Sequence, residues 1–198
     1  MDVYFVRHGQ TDGNVAKRHQ HPNIELNEQG KSQAIKVAER IALLDPTHLI
    51  TSTNKRAVET ARVIGLRTDR VPETYAAFEE LHRPQFLIGH RFTSVLTLSY
   101  LWRWFFGISA ASMHDGESYT DFLDRLDAAR AYLKQLPTDS RVVVVSHAVF
   151  IHFFIEHMNR PYRMNLLRAA IRFFKILRLQ NTAIIHIRYQ NGTWRILS

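Results

Sequence analysis

Two histidines in this chain each follow an apolar run. Val3-Tyr4-Phe5-Val6 leads into Arg7-His8-Gly9, and Val142-Val143-Val144-Val145 leads into Ser146-His147. Short runs rich in β-branched and aromatic residues read as buried strands, so each imidazole falls at a strand's carboxyl end. In open α/β sheets that end faces the crevice where ligands bind. Arg7 adjoins the first histidine, and Arg56, one helical turn before Thr60, points back toward the same strand tips. Gathered beneath the N-terminus of a helix that starts at Ala148, these groups make a positive pocket for a tetrahedral anion. Guanidinium forks match phosphate oxygens in pairs, which makes a phosphoryl group the natural occupant. Nearby cations lower a histidine's pKa, so one imidazole can stay neutral and nucleophilic while the other clamps. A carboxyl group would then protonate the leaving oxygen and afterwards activate water.

The elements that must carry these groups follow from hydrophobic period and breakers. Asn27-Glu28-Gln29-Gly30 precedes a helix with Ala34, Ile35, Val37, Ala38, Ile41 and Ala42 at helical spacing, and Pro46 closes that region. Residues 48–52 read as a second strand with Ser52 at its tip, followed by a helix whose face carries Ala57, Ala61 and Ile64. Residues 71–78 read as an extended connection into Glu79-Glu80-Leu81. A helix is expected between Gly89 and Gly107, with Phe92, Val95, Leu96, Trp102, Phe105 and Phe106 on one stripe, packed as core or lining a binding wall. Residues 119–136 read as a helix closed by Pro137, 148–158 as a mostly apolar helix, and 166–177 as an amphipathic one with Arg168, Arg172 and Lys175 as a basic stripe. A hairpin ends the chain, with strands at 182–189 and 193–197 and a turn at Gln190-Asn191-Gly192.

Composition narrows the function classes. The 198 residues are 45% hydrophobic and 22% charged, enough to bury one substantial core. With no cysteine, disulfides, thiolate metal sites and cysteine nucleophiles are excluded, and the cytoplasm is the expected compartment. No signal peptide is expected, and the longest apolar tract, 95–108, is interrupted by Arg103 and falls short of the roughly 20 residues that span a bilayer. The net charge of +8 fits an anionic substrate, and the basic stripe could touch an anionic surface. Without a zinc-finger spacing, an aromatic RNA-binding motif or a dense Lys/Arg run, nucleic acid is not expected as a partner. His19 and His21 could form a metal pair, but no carboxylate or third histidine is spaced to join them, and a surface loop is the expectation.

Several blocks taken together resemble the histidine phosphatase superfamily, also called phosphoglycerate mutase-like. They are Arg7-His8-Gly9-Gln10-Thr11 with Asn14; Leu26 with Gly30, Gln33 and Ala34; Ser52, Arg56, Ala57 and Thr60; Gly116-Glu117-Ser118; Val144-Val145-Ser146-His147; and Asn181-Thr182. Their order and spacing agree along almost the whole chain. The resemblance implies a three-layer α/β/α sandwich around a mainly parallel sheet, as one domain over 1–198 with a variable helical cap around 82–116. It implies that His8 is the nucleophile that becomes phosphohistidine. Arg7, Arg56 and His147 would form the phosphate pocket with help from Asn14 and the Ala148 backbone, and no metal or other cofactor would be needed. The proton donor corresponds to Glu80 before Leu81, with Glu79 as the alternative register and Glu117 as the next candidate.

The sequence departs from the family pattern at three places. Ala148 stands where glycine commonly follows the second histidine, Asn27 where threonine is common, and His82-Arg83-Pro84 where Gly and Trp-Glu-Gly are frequent. The chain is also shorter than a typical glycolytic mutase and lacks a match to its substrate loops. A phosphatase acting on a phosphorylated small molecule is therefore preferred to a mutase-type phosphoryl transferase or a catalytically weak phosphate-docking protein.

Overall fold

The computed structural model describes residues 1–108, 115–159 and 166–198. Six strands form one mixed sheet in the order β3-β2-β4-β1-β5-β6. They are β1 (Asp2–Arg7), β2 (His48–Thr51), β3 (Glu73–Thr74), β4 (Arg141–Ser146), β5 (Ile184–Gln190) and β6 (Thr193–Ile196). The first four in that order are parallel, and β5 and β6 add an antiparallel edge. The helices are α1 (Asp12–Ala16), α2 (Glu28–Ala42), α3 (Lys55–Thr68), α4 (Val95–Phe106), α5 (Tyr119–Gln135), α6 (Ala148–His157) and α7 (Leu166–Arg178).

The run of valines in β4 is explained by burial on both faces, since alternate side chains of a central parallel strand enter opposite layers. Val142 and Val144 join Val3 and Phe5 in a core built from α5 and α6, with Phe122, Leu126, Phe150 and Phe154 fully enclosed. Val143 and Val145 join Val6 in a second core with Val37 and Ile41 of α2 and Ala57, Ala61 and Ile64 of α3. Each large side chain so enclosed contributes about 1.5–3 kcal/mol. Parallel pairing sets Arg7 opposite Ser146, so His8 and His147 both leave the sheet one residue later, at the same edge.

Several expectations are corrected. Residues 71–78 are not simply extended: they hold β3 and a 3₁₀ turn at Ala76–Phe78. The aromatic helix starts at Val95 rather than near Gly89, because Ser94 caps it by accepting the Thr97 N–H at 3.2 Å. Its buried stripe is Thr97, Tyr100 and Trp104, while Val95, Leu96, Trp102 and Phe106 are exposed. The terminal turn has two residues, not three, with Asn191 and Gly192 at φ 51° and 77°, the pair of positive values a type I′ hairpin requires. Asn27 is explained as the cap of α2, its side chain accepting the Gly30 N–H at 2.9 Å. In the basic stripe of α7, Arg172 Nε donates to Glu156 at 2.9 Å and Arg168 reaches the same carboxylate at 3.4 Å. No helix among the described residues is long and apolar enough to cross a membrane.

The loop that follows His8 lies directly on the first turn of α2. A Cβ on Gly30 would fall 2.1 Å from the Gln10 carbonyl oxygen, and one on Gly9 2.6 Å from that of Gly30. Gly30→Ala should therefore cost about 1–3 kcal/mol through overpacking, seen as a lower urea midpoint, and should reduce activity by displacing residues 9–11.

Candidate active site

His8 emerges from β1 with its imidazole buried, and its Nδ1 lies 2.7 Å from the carbonyl oxygen of Gly9. A carbonyl can only accept, so Nδ1 carries the proton and Nε2 holds the lone pair. Arg56, entering from the first turn of α3, donates its Nε–H to that Nε2 at 3.2 Å. The loop is fixed from the same helix, where Thr60 accepts the Gly9 N–H at 3.0 Å and donates to the Arg56 carbonyl at 2.8 Å. His147 is fully buried at the head of α6, its ring centre 5.1 Å from that of His8, and its Nε2 shares a 2.7 Å hydrogen bond with Ser52. Its Nδ1 is buried without a partner.

Arg7 donates to the Leu179 carbonyl through Nη1, and its Nε is buried without a partner. Asn14 both caps α1 through Thr11 and accepts from Asn181, whose amide also donates to the His8 carbonyl at 3.0 Å. Arg7, His8, Asn14, Arg56, Glu80 and Ala148 all line one cavity of about 1080 Å³. The sequence-predicted residues thus converge, with His147 packed immediately behind His8 rather than on the cavity wall.

Glu80 is the one carboxylate on the described wall of that cavity. Its Oε1 accepts the N–H groups of Leu81 and Phe150 at 3.0 and 3.1 Å, and Oε2 accepts only the Val149 N–H, at 3.3 Å. The carboxylate therefore caps α6, with Oε2 the less engaged of its two oxygens. Glu79 turns elsewhere, bonded to Thr53 and, at 2.5 Å, to His82. Burial pushes its carboxyl up, but the hydrogen bonds from His82 and Thr53 prevail and hold it below the usual range. Glu117 is occupied too: it binds Arg125 as a buried ion pair, with Arg125 Nε at 3.0 Å, and accepts the His82 N–H at 2.8 Å. Arg125 in turn donates to the carbonyls of Ala77, Glu79 and Glu80, at 3.2, 2.6 and 3.2 Å.

That pairing closes a clamp. His82 and Glu117 exchange hydrogen bonds, the second being Glu117 N–H to the His82 carbonyl at 3.0 Å. Gly116 packs so tightly on Pro84 that a Cβ there would sit 2.8 Å from the proline ring. The stretch 83–116, α4 included, leaves and returns at one point; its residues 109–114 lie outside the described ones.

The electrostatic balance is lopsided. Burial is the main cause that lowers the pKa of both site histidines well below 6.5, and the Arg56 charge adds to it. Arg56 itself is pulled down to about 10 by burial and by the like charges of Arg83 and Arg7, with Glu80 opposing. Arg83, in the stretch where the sequence departs from the family pattern, was not anticipated as a site residue. It lines the cavity with its Nε buried and unpartnered. Concentrated, incompletely neutralised guanidinium groups around a neutral imidazole make a trap for a dianion.

A comparison of the sequence with known families decides the relationship: residues 3–198 match the histidine phosphatase superfamily (branch 1). The chain belongs to the histidine phosphatase superfamily. Curated relatives include proteins named probable phosphoglycerate mutase GpmB. That of Proteus mirabilis is 31% identical over 98% of this chain and 87% of its own length, and that of Citrobacter koseri is 30% identical over the same shares. Among solved structures, a putative α-ribazole-5′-P phosphatase from Escherichia coli superposes with a TM-score of 0.80 at 16% identity, covering 100% of this chain and 94% of its own. The mycobacterial glucosyl-3-phosphoglycerate phosphatase solved with VO3 gives 0.75 at 24% identity, over 98% and 96%. These superpositions establish the histidine phosphatase fold.

One expectation is corrected by the packing. His19 is not on a surface loop: its Nε2 meets Thr97 Oγ1 at 3.1 Å and its ring packs edge-on against Phe92. No group of three His, Asp or Glu side chains among the described residues is placed to hold a metal ion.

Buried neutral histidines tie stability to pH. Burial lowers His19 to about 3, helped by Arg83, and His152 to about 4, helped by Arg172, alongside His8 and His147. In the unfolded chain all four take a proton near pH 6.5. The folded state resists protonation, so stability is full above pH 6.5 and falls as pH drops toward the folded values. At pH 5.5 His19 and His152 each cost about 1.4 kcal/mol, and His8 and His147 act in the same direction. Urea melts should show a steep fall in midpoint from pH 7 to 5, largely relieved for its share in His19→Asn.

Proposed function

We propose that this member of the superfamily is a metal-independent phosphomonoesterase that works through a phosphohistidine on His8. The observation that carries the reading is the tautomer of His8: the Gly9 carbonyl holds the proton on Nδ1 and leaves the Nε2 lone pair among Arg7 and Arg56.

In this reading Arg7, Arg56, Asn14 and the Ala148 backbone bind the phosphoryl oxygens, His147 supports His8 from behind the cavity wall, and Arg56 moves its donors from His8 to the arriving substrate. Nε2 of His8 attacks phosphorus as the P–O ester bond breaks, and the departing alkoxide takes the proton of Glu80. Water then gives its proton back to the Glu80 carboxylate and attacks phosphorus. The N–P bond breaks, releasing inorganic phosphate and restoring His8. Positioning and fixed charge supply the rate, since the phosphoryl group needs stabilisation of spread charge in flight. The cysteine-free composition supports the cytoplasm as its compartment.

The names of the 30–31% identical relatives favour a second reading, a phosphoglycerate mutase, in which an acceptor hydroxyl takes the place of water. Product analysis separates the two. Inorganic phosphate released in the presence of a chelator supports the phosphatase, whereas isomerised phosphoglycerate without phosphate release supports the mutase.

Brief mixing with ³²P-labelled substrate should trap an acid-labile, base-stable phosphoprotein, and undiminished labelling of His8→Ala would remove the nucleophile assignment. Arg56→Ala should lose activity by on the order of a hundredfold or more. Lys55→Ala, whose side chain pairs with Glu25 at the surface, should remain near normal.

The proton donor is read from leaving-group chemistry. An alkoxide needs a proton as it leaves and a nitrophenolate does not, so Glu80→Gln should slow alkyl phosphates by roughly 10²–10⁴-fold while largely sparing p-nitrophenyl phosphate. Equal loss on both substrates would reduce Glu80 to its capping role on α6.

A further inference from the structure

The cavity continues well beyond the phosphate trap, and the walls change character along it. Its volume of about 1080 Å³ is at the top of the range of roughly 300–1,000 Å³ for small-molecule sites, so a phosphoryl group fills only a small part. The cationic end is the enclosed one, with His8 and Arg56 only 3% and 6% exposed, whereas Leu98 and Trp102 at the other end are 47% and 53% exposed.

Leu98, Leu101, Trp102 and Phe105 recur at i, i+3, i+4 and i+7, one continuous stripe of α4, and all four line the cavity. Leu101 and Phe105 of this stripe pack partly against the core, whereas Leu98 and Trp102 stay half-exposed because the neighbouring stripe already fills it. Tyr100 and Trp104 are buried in the core, and Trp104 donates its indole N–H to the Glu117 carbonyl at 3.0 Å. Val149 and Phe153 of α6, one turn apart and next to the Glu80 cap, and Ile176 of α7 extend the apolar surface, while Lys17, Arg18, Gln20, Arg91, Arg178 and Gln180 line other parts of the wall. A polyhydroxylated leaving group laid along the apolar side chains of α4 and α6 would lose water there without gaining partners. A hydrocarbon would lose only unfavourable contact with water.

We infer that the substrates are phosphomonoesters of apolar alcohols, with the ester oxygen at Glu80 and an alkyl or aromatic chain lying along α4 toward α7. The inference rests on the phosphatase reading and gives it a substrate class.

The test is a series of n-alkyl phosphates from ethyl to octyl, kept below the concentrations at which they self-associate. A buried methylene is worth about 0.8 kcal/mol, or three- to fourfold, so kcat/KM should climb at least about a hundredfold across the series. The n-alkylphosphonates, which cannot be turned over, should show a parallel rise in affinity by calorimetry. Leu98→Ser and Trp102→Ser, at half-exposed positions that should fold, should flatten both slopes. A flat series in an enzyme that hydrolyses p-nitrophenyl phosphate would overturn the inference and leave the phosphatase standing. Chain-dependent phosphonate binding by a protein that hydrolyses nothing would do the reverse. Slopes unchanged in both variants would also overturn the inference, by removing the chain from α4.

Discussion

In the parallel ladder between β1 and β4, Arg7 stands opposite Ser146, and each strand delivers a histidine one residue later. Everything at the site depends on that register. A slip of one residue would turn every side chain of β1 to the other face of the sheet, sending Phe5 toward α2 and α3 and His8 away from Arg56. The two cores prevent it, because Val3 and Phe5 fit only among the helices on one side and Val6 only among those on the other. Hydrophobic burial therefore sets the distance between the two imidazoles. The polar latches from Thr60 and Asn181 then refine a geometry the sheet has already chosen.

The same arrangement gathers charge that the fold must tolerate. Arg7, Arg56 and Arg83 face one cavity with Glu80 as their nearby counterweight, and the histidines respond by remaining neutral. Burial is the larger cause of that neutrality and the guanidinium charges add to it, while the Gly9 carbonyl keeps the proton of His8 on Nδ1 and leaves Nε2 facing Arg56. Glu80 serves in a double capacity. By bonding the first N–H groups of α6 it orders the helix that begins after His147, and so joins the strand-tip histidine to the loop that carries Glu80.

Much of this could be read from residue patterns. Apolar runs that end in Arg-His-Gly and Ser-His locate strand tips without any partner being known, and the converging Arg56 follows from helical spacing. What was hidden depends on contacts between distant segments. His19 sits in a polar neighbourhood of sequence, and only its meeting with Thr97 and Phe92 explains why it is buried. Nothing local marks Glu117 and Arg125 as the pair that holds the Glu80 segment. In α4 hydrophobic residues occupy several faces at once, one for the core, one for the cavity and one for solvent, so periodicity could not separate them. The Ser94 cap was the available boundary signal, and the apolar Phe92 before it disguised it.

The clamp between His82 and Glu117 has a consequence for how such a protein can change over evolutionary time. The ends of 83–116 are joined by that clamp, and between them the stretch packs back through Leu87, Tyr100 and Trp104 and bonds to residues 17–19; a change of length at its exposed parts costs chiefly loop closure, about 0.6 kcal/mol for each doubling. Changes at its exposed positions leave the sheet register, Arg7, Arg56 and the Glu80 cap as they are. The strand tips and the exposed wall of the cavity are thus separable inheritances, and the exposed side chains of the excursion can be rewritten while the strand tips are kept.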